Sequence, residues 1–163
     1  MMQNKINHII YLIGLLLLIA NCTGIYEDGN ELAKVAEKKI DQISVDELKA
    51  KVEKQEEEFL LIDVRQKSEF KKGNIEGSYS IPRGILEFKI GDKAFWEEEY
   101  IDPPADTTLI IIYCAKGARG ALATESLLKL GYKNVMNLEG GYGAFNPNPD
   151  ENAPVEEEGG CGG

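Results

Sequence analysis

The sequence predicts an α/β domain with a central, mainly parallel sheet flanked by helices. Two observations support this fold class. The apolar runs FLLIDV at 59–64 and TLIIIY at 108–113 show no alternation with polar residues, which is typical of strands that are buried on both faces. Helix-forming segments separate the strand candidates, and this alternation favours parallel pairing through right-handed crossovers.

Local signals bound several of the expected elements. Ser44 and Glu47 form a capping-box pattern at the start of a helix. Pro82 ends a strand, Pro103 with its neighbours forces an extended break, and Gly131 ends a helix. In chain order we expect helices at 31–40 and 45–55, a strand at 59–64, a helix at 67–72, a strand at 78–82, helical structure within 84–100, a strand at 108–113, a helix at 120–130, a strand at 134–138 and a closing turn or helix at 140–145.

Apolar residues at helical spacing predict which face each longer helix buries. The inward residues should be Leu32, Val35, Ala36 and Ile40 in the first helix, Val45, Leu48 and Val52 in the second, and Ala123, Leu127 and Leu130 in the helix at 120–130.

Residues 1–21 resemble an export signal. They contain Lys5 and no acidic residue, followed by an apolar run that is too short to cross a bilayer comfortably and suits a signal peptide. The end of the run, LIANC, resembles a bacterial lipoprotein signal, although Asn21 is less usual there than a small residue. We therefore expect lipidation of Cys22 and a location in the bacterial cell envelope, at the periplasmic face or the outer membrane. A plain secretory signal and an uncleaved anchor helix are the alternatives.

Composition divides the rest of the chain into three parts. Residues 22–42 are expected to be a polar tether with the first short helix, and residues 43–146 to be the α/β domain. The last part, PNPDENAPVEEEGGCGG at 147–163, combines Pro, Glu and Gly without apolar periodicity. This composition predicts a disordered acidic tail, and Cys161 lies near its end.

Charge and histidine content exclude several function classes. The 163 residues include 28 acidic and 18 basic side chains, a net charge of −10, which argues against nucleic-acid binding. The only histidine, His8, lies in the expected signal segment. Its removal would leave no imidazole for a Ser-His-Asp or Cys-His nucleophile or a His-containing zinc site. Three well-separated cysteines also make a poor thiolate site, so we expect neither metal nor cofactor.

Cys114 stands where a parallel α/β fold carries its chemistry, directly after the strongest strand and before a helix. Backbone N–H groups at the start of that helix have no partner within it and can bind an anion. Together with the helix dipole and the charges of Lys116 and Arg119, they favour a thiolate without a general base. The alternative is a buried cysteine that serves as a small hydrophobic residue. Small residues in the loop allow close approach of a ligand, namely Ala115, Gly117, Ala118 and Gly120.

Two long segments resemble signatures of the rhodanese-like (thiosulfate sulfurtransferase) family. They are LLIDVRQKSEFKKGNIEGSYSIPRG and IIIYCAKGARGALATESLLKLGYKNVMNLEGGYGAF, and the resemblance covers roughly residues 43–146. It implies a three-layer rhodanese-like fold and a nucleophilic Cys114. This cysteine would take sulfane sulfur from thiosulfate, a persulfide or a polysulfide, and its persulfide would pass the outer sulfur to cyanide, a thiol or a protein acceptor.

The resemblance also implies roles for neighbouring residues. The loop from Ala115 to Gly120 would bind the donor, with Lys116 and Arg119 neutralising its charge. Three residues outside the loop would support the fold, namely Asp63, Arg65 and Glu69. We expect a contact between Arg65 and Glu69.

Two positions depart from the family pattern. Asn74 stands where many relatives have His, a position we interpret as structural. Gly120 stands where relatives often have Ser or Thr, so a hydroxyl that could hydrogen-bond the sulfur is missing. The second departure predicts modest activity.

Other functions stay open at this point. Phosphatases of the same fold have one more residue between the cysteine and the arginine, so the four residues between Cys114 and Arg119 favour sulfur over phosphate. A non-catalytic binding or sulfur-carrier module is a second alternative. Cys161 is either an idle thiol or a mobile arm that reaches Cys114 to accept sulfur or to form a disulfide.

Overall fold

The computed structural model of the chain describes residues 25–54 and 58–147. The expected signal segment with Cys22, and the tail from 148 with Cys161, lie outside the described residues. In chain order the elements are α1 (Gly29–Glu37), β1 (Asp41–Ile43), α2 (Val45–Lys54), β2 (Phe59–Asp63), α3 (Lys67–Lys71), β3 (Ser78–Ser80), a 3-10 helix (Arg83–Ile85), α4 (Leu86–Lys89), α5 (Lys93–Glu98), β4 (Leu109–Tyr113), α6 (Ala118–Leu130), β5 (Asn134–Leu138) and α7 (Gly141–Phe145).

The five strands form one sheet in the order β1-β5-β4-β2-β3, and every pair of neighbours is parallel. Helices cover both faces, so the predicted α/β class and the three-layer arrangement are confirmed. The central strand β4 is fully buried at Ile110, Ile111 and Ile112, as its unbroken apolar sequence predicts. Burial of each such side chain contributes about 1.5–3 kcal/mol. One face packs Ile62, Ile110, Ile112, Trp96 and Leu127, and the other packs Leu48, Leu61, Ile111, Tyr113 and Leu138.

Several local signals act as predicted. The backbone N–H of Ser44 donates to Glu47 and the N–H of Glu47 donates back to the Ser44 hydroxyl, at 2.9 and 3.3 Å. This reciprocal cap starts α2. Gly131 has φ of 109° and ends α6, which is the conformation that glycine adopts at least cost.

Two predicted inward residues are exposed instead. Leu32 is 37% exposed, because α1 packs against α6 through the small side chains of Ala33 and Ala36. Leu130 is 52% exposed, and it lines a surface groove together with Phe88. Helical spacing therefore predicted the buried face of each helix, but it did not predict which residues at the edge of that face would be exposed to solvent.

The helical stretch expected within 84–100 is divided into three short helices. The break between α4 and α5 contains Gly91, and the side chain of Asp92 accepts a hydrogen bond from the N–H of Ala94 to begin α5. Trp96 of α5 is fully buried, and its Nε1 donates to the carbonyl of Ile90 at 2.7 Å. This bond satisfies the one polar atom of the indole. The three-residue strand β1 was not predicted because its sequence, DQI, is too short to show a pattern.

Parallel pairing places the loops that follow β2 and β4 at one edge of the sheet. The register of β2 and β4 sets Asp63 opposite Tyr113, so both strands end at the same level. The segments that follow Asp63 and Tyr113 therefore begin side by side. Within the described part of the chain, none of the helices combines the length and the hydropathy needed to span a bilayer.

Candidate active site

Cys114 begins the loop between β4 and α6. The residue is only 2% exposed, and its Sγ accepts a hydrogen bond from the N–H of Gly117 at 3.2 Å. Gly117 has φ of 99°, and this turn of the backbone aims its N–H back at the sulfur. Ala118 and Arg119 follow as the first residues of α6, whose first N–H groups lack partners within the helix. The loop therefore offers backbone donors to a sulfur anion.

Two carbonyl groups of the same loop accept hydrogen bonds from α7. Tyr142 donates its N–H to the Cys114 carbonyl at 2.7 Å, and Gly143 donates to the Ala115 carbonyl at 3.0 Å. Gly140 and Gly141 allow this contact because both have positive φ. A Cβ on Gly141 would stand 2.3 Å from the Cys114 carbonyl oxygen. The glycine pair thus brings α7 against the back of the loop.

A paired arginine and an exposed lysine carry the positive charge of the loop. Arg119 donates to both carboxylate oxygens of Glu69 at 2.8 Å, with the two side chains 39% and 34% exposed. These hydrogen bonds lower the pKa of Glu69 to about 2 and raise the pKa of Arg119. Lys116 is exposed. Glu69 therefore forms its hydrogen-bonded ion pair with Arg119. The charge of Arg65 also helps to lower the pKa of Glu69, but the hydrogen bonds of the Arg65 side chain go to Asp63 and Gly73.

Arg65 instead forms a buried ion pair with Asp63. Its Nε and Nη2 donate to the Asp63 carboxylate at 2.9 and 2.6 Å, and Nη2 also donates to the carbonyl of Gly73 at 2.7 Å. The guanidinium lies over the ring of Tyr142 at 4.2 Å from its centre. Burial lowers the pKa of Arg65, but the hydrogen bonds that Arg65 donates to Asp63 and the charge of that carboxylate outweigh burial, so the pKa is raised. The pair ties β2 to the turn before β3 and to α7.

Comparison with known proteins identifies the domain. The model of the rhodanese-like domain family matches residues 44–148. The chain belongs to the rhodanese-like family. A Schizosaccharomyces pombe protein named "Putative thiosulfate sulfurtransferase, mitochondrial" is 40% identical over 85 residues. That match covers 51% of this chain and 60% of the relative's length.

Two solved structures are similar in fold. A human single-domain sulfurtransferase is 27% identical with a TM-score of 0.60, and the match covers 66% of this chain and 96% of that one. A protein of unknown function from Rhodopseudomonas palustris, described as "Possible Tyrosine Phosphatase", is 28% identical with a TM-score of 0.62. That match covers 82% of this chain and 98% of the other. The chain thus spans less than two thirds of the length of the Schizosaccharomyces pombe relative.

The space around Gly120 explains its lack of a side chain. A Cβ at this position would stand 2.2 Å from Oδ1 of Asn137 on β5. A side chain at position 120 would therefore require the Asn137 carboxamide or the first turn of α6 to move. Nothing in the sequence around Asn137 marks the residue, because the contact depends on the packing of β5 under α6.

The sequence also missed Gly141 and Tyr142 as parts of the site. Two adjacent glycines after a strand were the available signal, since such a pair often marks a close approach of backbone segments. Within the described residues, the two surface cavities, of about 620 and 520 Å³, are lined by other parts of the domain. The cysteine loop lies apart from both, at the carboxyl end of the sheet.

Proposed function

We propose that this protein is a sulfurtransferase that carries sulfur as a persulfide on Cys114. The observation that carries the proposal is the hydrogen bond from the Gly117 N–H to Sγ, in a loop whose Cys114 and Ala115 carbonyls are bound by α7. A buried cysteine that serves only as a small hydrophobic residue needs no such donor. Negative charge on sulfur is stabilised by backbone dipoles of this kind.

The proposed reaction has two steps. The Cys114 thiolate attacks the outer sulfur of thiosulfate, a new S–S bond forms, and the donor S–S bond breaks to release sulfite. A nucleophile such as cyanide or a thiolate then attacks the outer sulfur of the Cys114 persulfide. The Cys114 thiolate leaves with its electron pair, so no external oxidant or reductant is consumed.

The charged residues of the loop have separate roles in this proposal. Lys116 attracts the anionic donor from its exposed position at the loop. Glu69 largely neutralises the charge of Arg119. Arg119 therefore holds the loop in place through this ion pair as well as attracting the anionic donor. A monoanionic persulfide would require less positive charge at the site than the thiosulfate dianion, and both donors are tested below.

A persulfide assay tests the proposal directly. The full chain is incubated with thiosulfate and, separately, with glutathione persulfide, and the peptide containing Cys114 is examined by mass spectrometry. We expect one added sulfur atom that cyanide removes, and no addition at this position in Cys114→Ser. Absence of the adduct with both donors would contradict sulfur transfer. A stable adduct that neither cyanide nor thiols remove would favour the non-catalytic carrier.

Phosphatase activity is a second candidate because of the Rhodopseudomonas palustris protein described above. Against it, four residues separate Cys114 from Arg119, one fewer than in phosphatases of this fold. We expect the protein to leave a phosphotyrosine peptide unhydrolysed under conditions in which it transfers sulfur. Hydrolysis that is faster than thiosulfate-to-cyanide transfer would reverse this order of candidates.

We further propose that Cys22 is lipidated and anchors the protein in the cell envelope. The sequence LIANC supports this proposal. In a bacterial host, labelled palmitate should enter the full chain and not Cys22→Ser, and equal labelling of both would contradict the anchor. The persulfide assay with Cys161→Ser separates the two roles left open for that thiol, because only an accepting arm changes the lifetime of the Cys114 persulfide.

A further inference from the structure

Asn137 is a buried polar residue with an unusual position. It lies near the end of β5, is 1% exposed, and its Nδ2 donates to Oε1 of Gln42 on the neighbouring strand at 3.4 Å. Among the described residues, none gives its Oδ1 a hydrogen bond. A buried acceptor without a partner reduces stability. Asparagine therefore carries a stability cost at this position, and the cost calls for an explanation beyond packing.

The surroundings of the carboxamide connect it to the cysteine loop. It lies under the first turn of α6, next to the two glycines at the ends of that turn. A Cβ on Gly120 would stand 2.2 Å from Oδ1, and a Cβ on Gly117 would stand 3.9 Å from Nδ2. Gly117 is the residue whose N–H binds Sγ of Cys114. The side chain of Asn137 thus fills the space beneath the backbone that holds the sulfur.

We propose that Asn137 is a positioning residue for the cysteine loop, acting through the first turn of α6. Its carboxamide occupies the space that the missing side chain of Gly120 leaves, and the two residues together set the distance between Gly117 N and Sγ. The inference rests on the proposed function, in which the reactivity of Cys114 depends on that distance. It goes beyond that function because it makes a residue of β5 a determinant of sulfur chemistry.

The pair predicts a specific response to substitution. Gly120→Ser would force Oδ1 of Asn137 and the turn of α6 apart by about 1 Å, and a displacement of that size costs roughly 100-fold in rate. Asn137→Ala would remove the side chain that packs under the first turn of α6, so the turn would shift towards β5. We expect the rate of sulfur transfer to fall by about 10-fold. The double variant exchanges the two volumes. Its rate of sulfur transfer should be at least 10-fold higher than that of Gly120→Ser, because the effects of substituting two residues in contact are not additive.

The experiment compares wild type, both single variants and the double variant in the full chain. Thiosulfate-to-cyanide transfer gives kcat and KM, the rate of Cys114 alkylation by iodoacetamide is followed over pH with peptide mapping, and thermal unfolding is recorded. In both single variants kcat should fall more than KM rises, and the alkylation profile should move to higher pH. The double variant should bring both readouts back toward wild type. Asn134→Ala is the matched control, because Asn134 lies on the same strand, is exposed, and donates its side-chain Nδ2 to the carbonyl of Thr107, away from the cysteine loop.

Three results would overturn the proposal. One is a double variant no faster than Gly120→Ser, and another is a Gly120→Ser protein as active as wild type. The third is an unchanged alkylation profile in Asn137→Ala with only the unfolding temperature lowered, which is what a merely structural role gives. If Gly120→Ser does not fold, the alkylation profile of Asn137→Ala decides alone. If wild type forms no persulfide, the proposed function fails, yet the alkylation profiles still test the positioning role.

Discussion

The two sides of the cysteine loop are held by different kinds of contact. On the side of α7, backbone meets backbone: the carbonyls of Cys114 and Ala115 accept hydrogen bonds from Tyr142 and Gly143, and Gly141 lies in direct contact. On the side of α3, charged side chains meet across a partly exposed ion pair between Arg119 and Glu69. The first side has no spare volume, whereas the second can rearrange.

The two kinds of contact should affect the site differently: the backbone contacts set the shape of the loop, and the ion pair sets its charge. Backbone contacts through glycine fix the direction of the loop dipoles, because any side chain there must displace main-chain atoms. A solvent-exposed ion pair contributes little free energy, but it sets the charge that an anionic donor meets. Substitutions on the α7 side should therefore remove activity or stability, and substitutions on the α3 side should change rates moderately.

The largest loss is expected from Gly141→Ala. The new Cβ would lie 2.3 Å from the Cys114 carbonyl oxygen, in a residue whose φ is 60°. The loop must move away from α7, and sulfur transfer should fall by about 100-fold. Gly84→Ala is the matched control, because its Cβ would meet nothing within 4 Å. Steady-state transfer assays on both variants check this, and a Gly141→Ala protein within threefold of wild type would show that the α7 side is adjustable after all.

Asp63→Asn should cost the most stability. It leaves the guanidinium of Arg65 buried without its counter-charge, in a pair whose side chains are 5% and 0% exposed. Removing one partner of such a pair costs about 3–5 kcal/mol. Urea denaturation followed by circular dichroism measures the change. Lys93→Ala serves as control, since the Lys93–Glu97 pair is exposed and its loss should leave the midpoint unchanged; equal effects of the two substitutions would contradict the distinction.

Glu69→Gln should act on rate more than on stability. It leaves the charge of Arg119 unbalanced, so the site attracts a dianion more strongly at low ionic strength. We expect kcat/KM for thiosulfate to rise by about threefold in low salt and to return to the wild-type value in high salt. The free energy of unfolding should fall by about 1 kcal/mol or less, because the pair is partly exposed. A rate that is lower than wild type at every salt concentration would instead give Glu69 a role in shaping the loop.

The smallest expected effect is the pH dependence that Glu69 adds to the free energy of unfolding. Its pKa is lowered from 4.5 to about 2 in the folded state, so the stabilisation by Arg119 is complete above pH 4.5 and is lost as pH falls towards 2. Glu69→Gln lacks this contribution at every pH. The unfolding free energies of wild type and variant should therefore converge between those two pH values. A constant difference down to pH 2 would mean that the ion pair does not stabilise the fold.

The fold and the position of the cysteine loop could be predicted from sequence because both depend on local pattern. The runs FLLIDV and TLIIIY gave two buried strands, and the position of Cys114 between a strand and a helix gave the loop. The partner of Glu69 could not be predicted in this way, because Arg65 is near it in sequence and Arg119 is near it only in space. Asn137 and Tyr142 could not be predicted for the same reason. Each belongs to an element later in the chain, β5 or α7, that packs against the loop only in the folded protein.

The dependence of the loop on α7 has a consequence for the order in which the protein becomes active. The residues that bind the Cys114 and Ala115 carbonyls belong to the last helix of the domain. A chain that emerges during synthesis carries Cys114 well before it carries Gly141. Until that helix docks, the Cys114 and Ala115 carbonyls lack the hydrogen bonds that it donates. We therefore expect the reactivity proposed for Cys114 to appear only after α7 has docked.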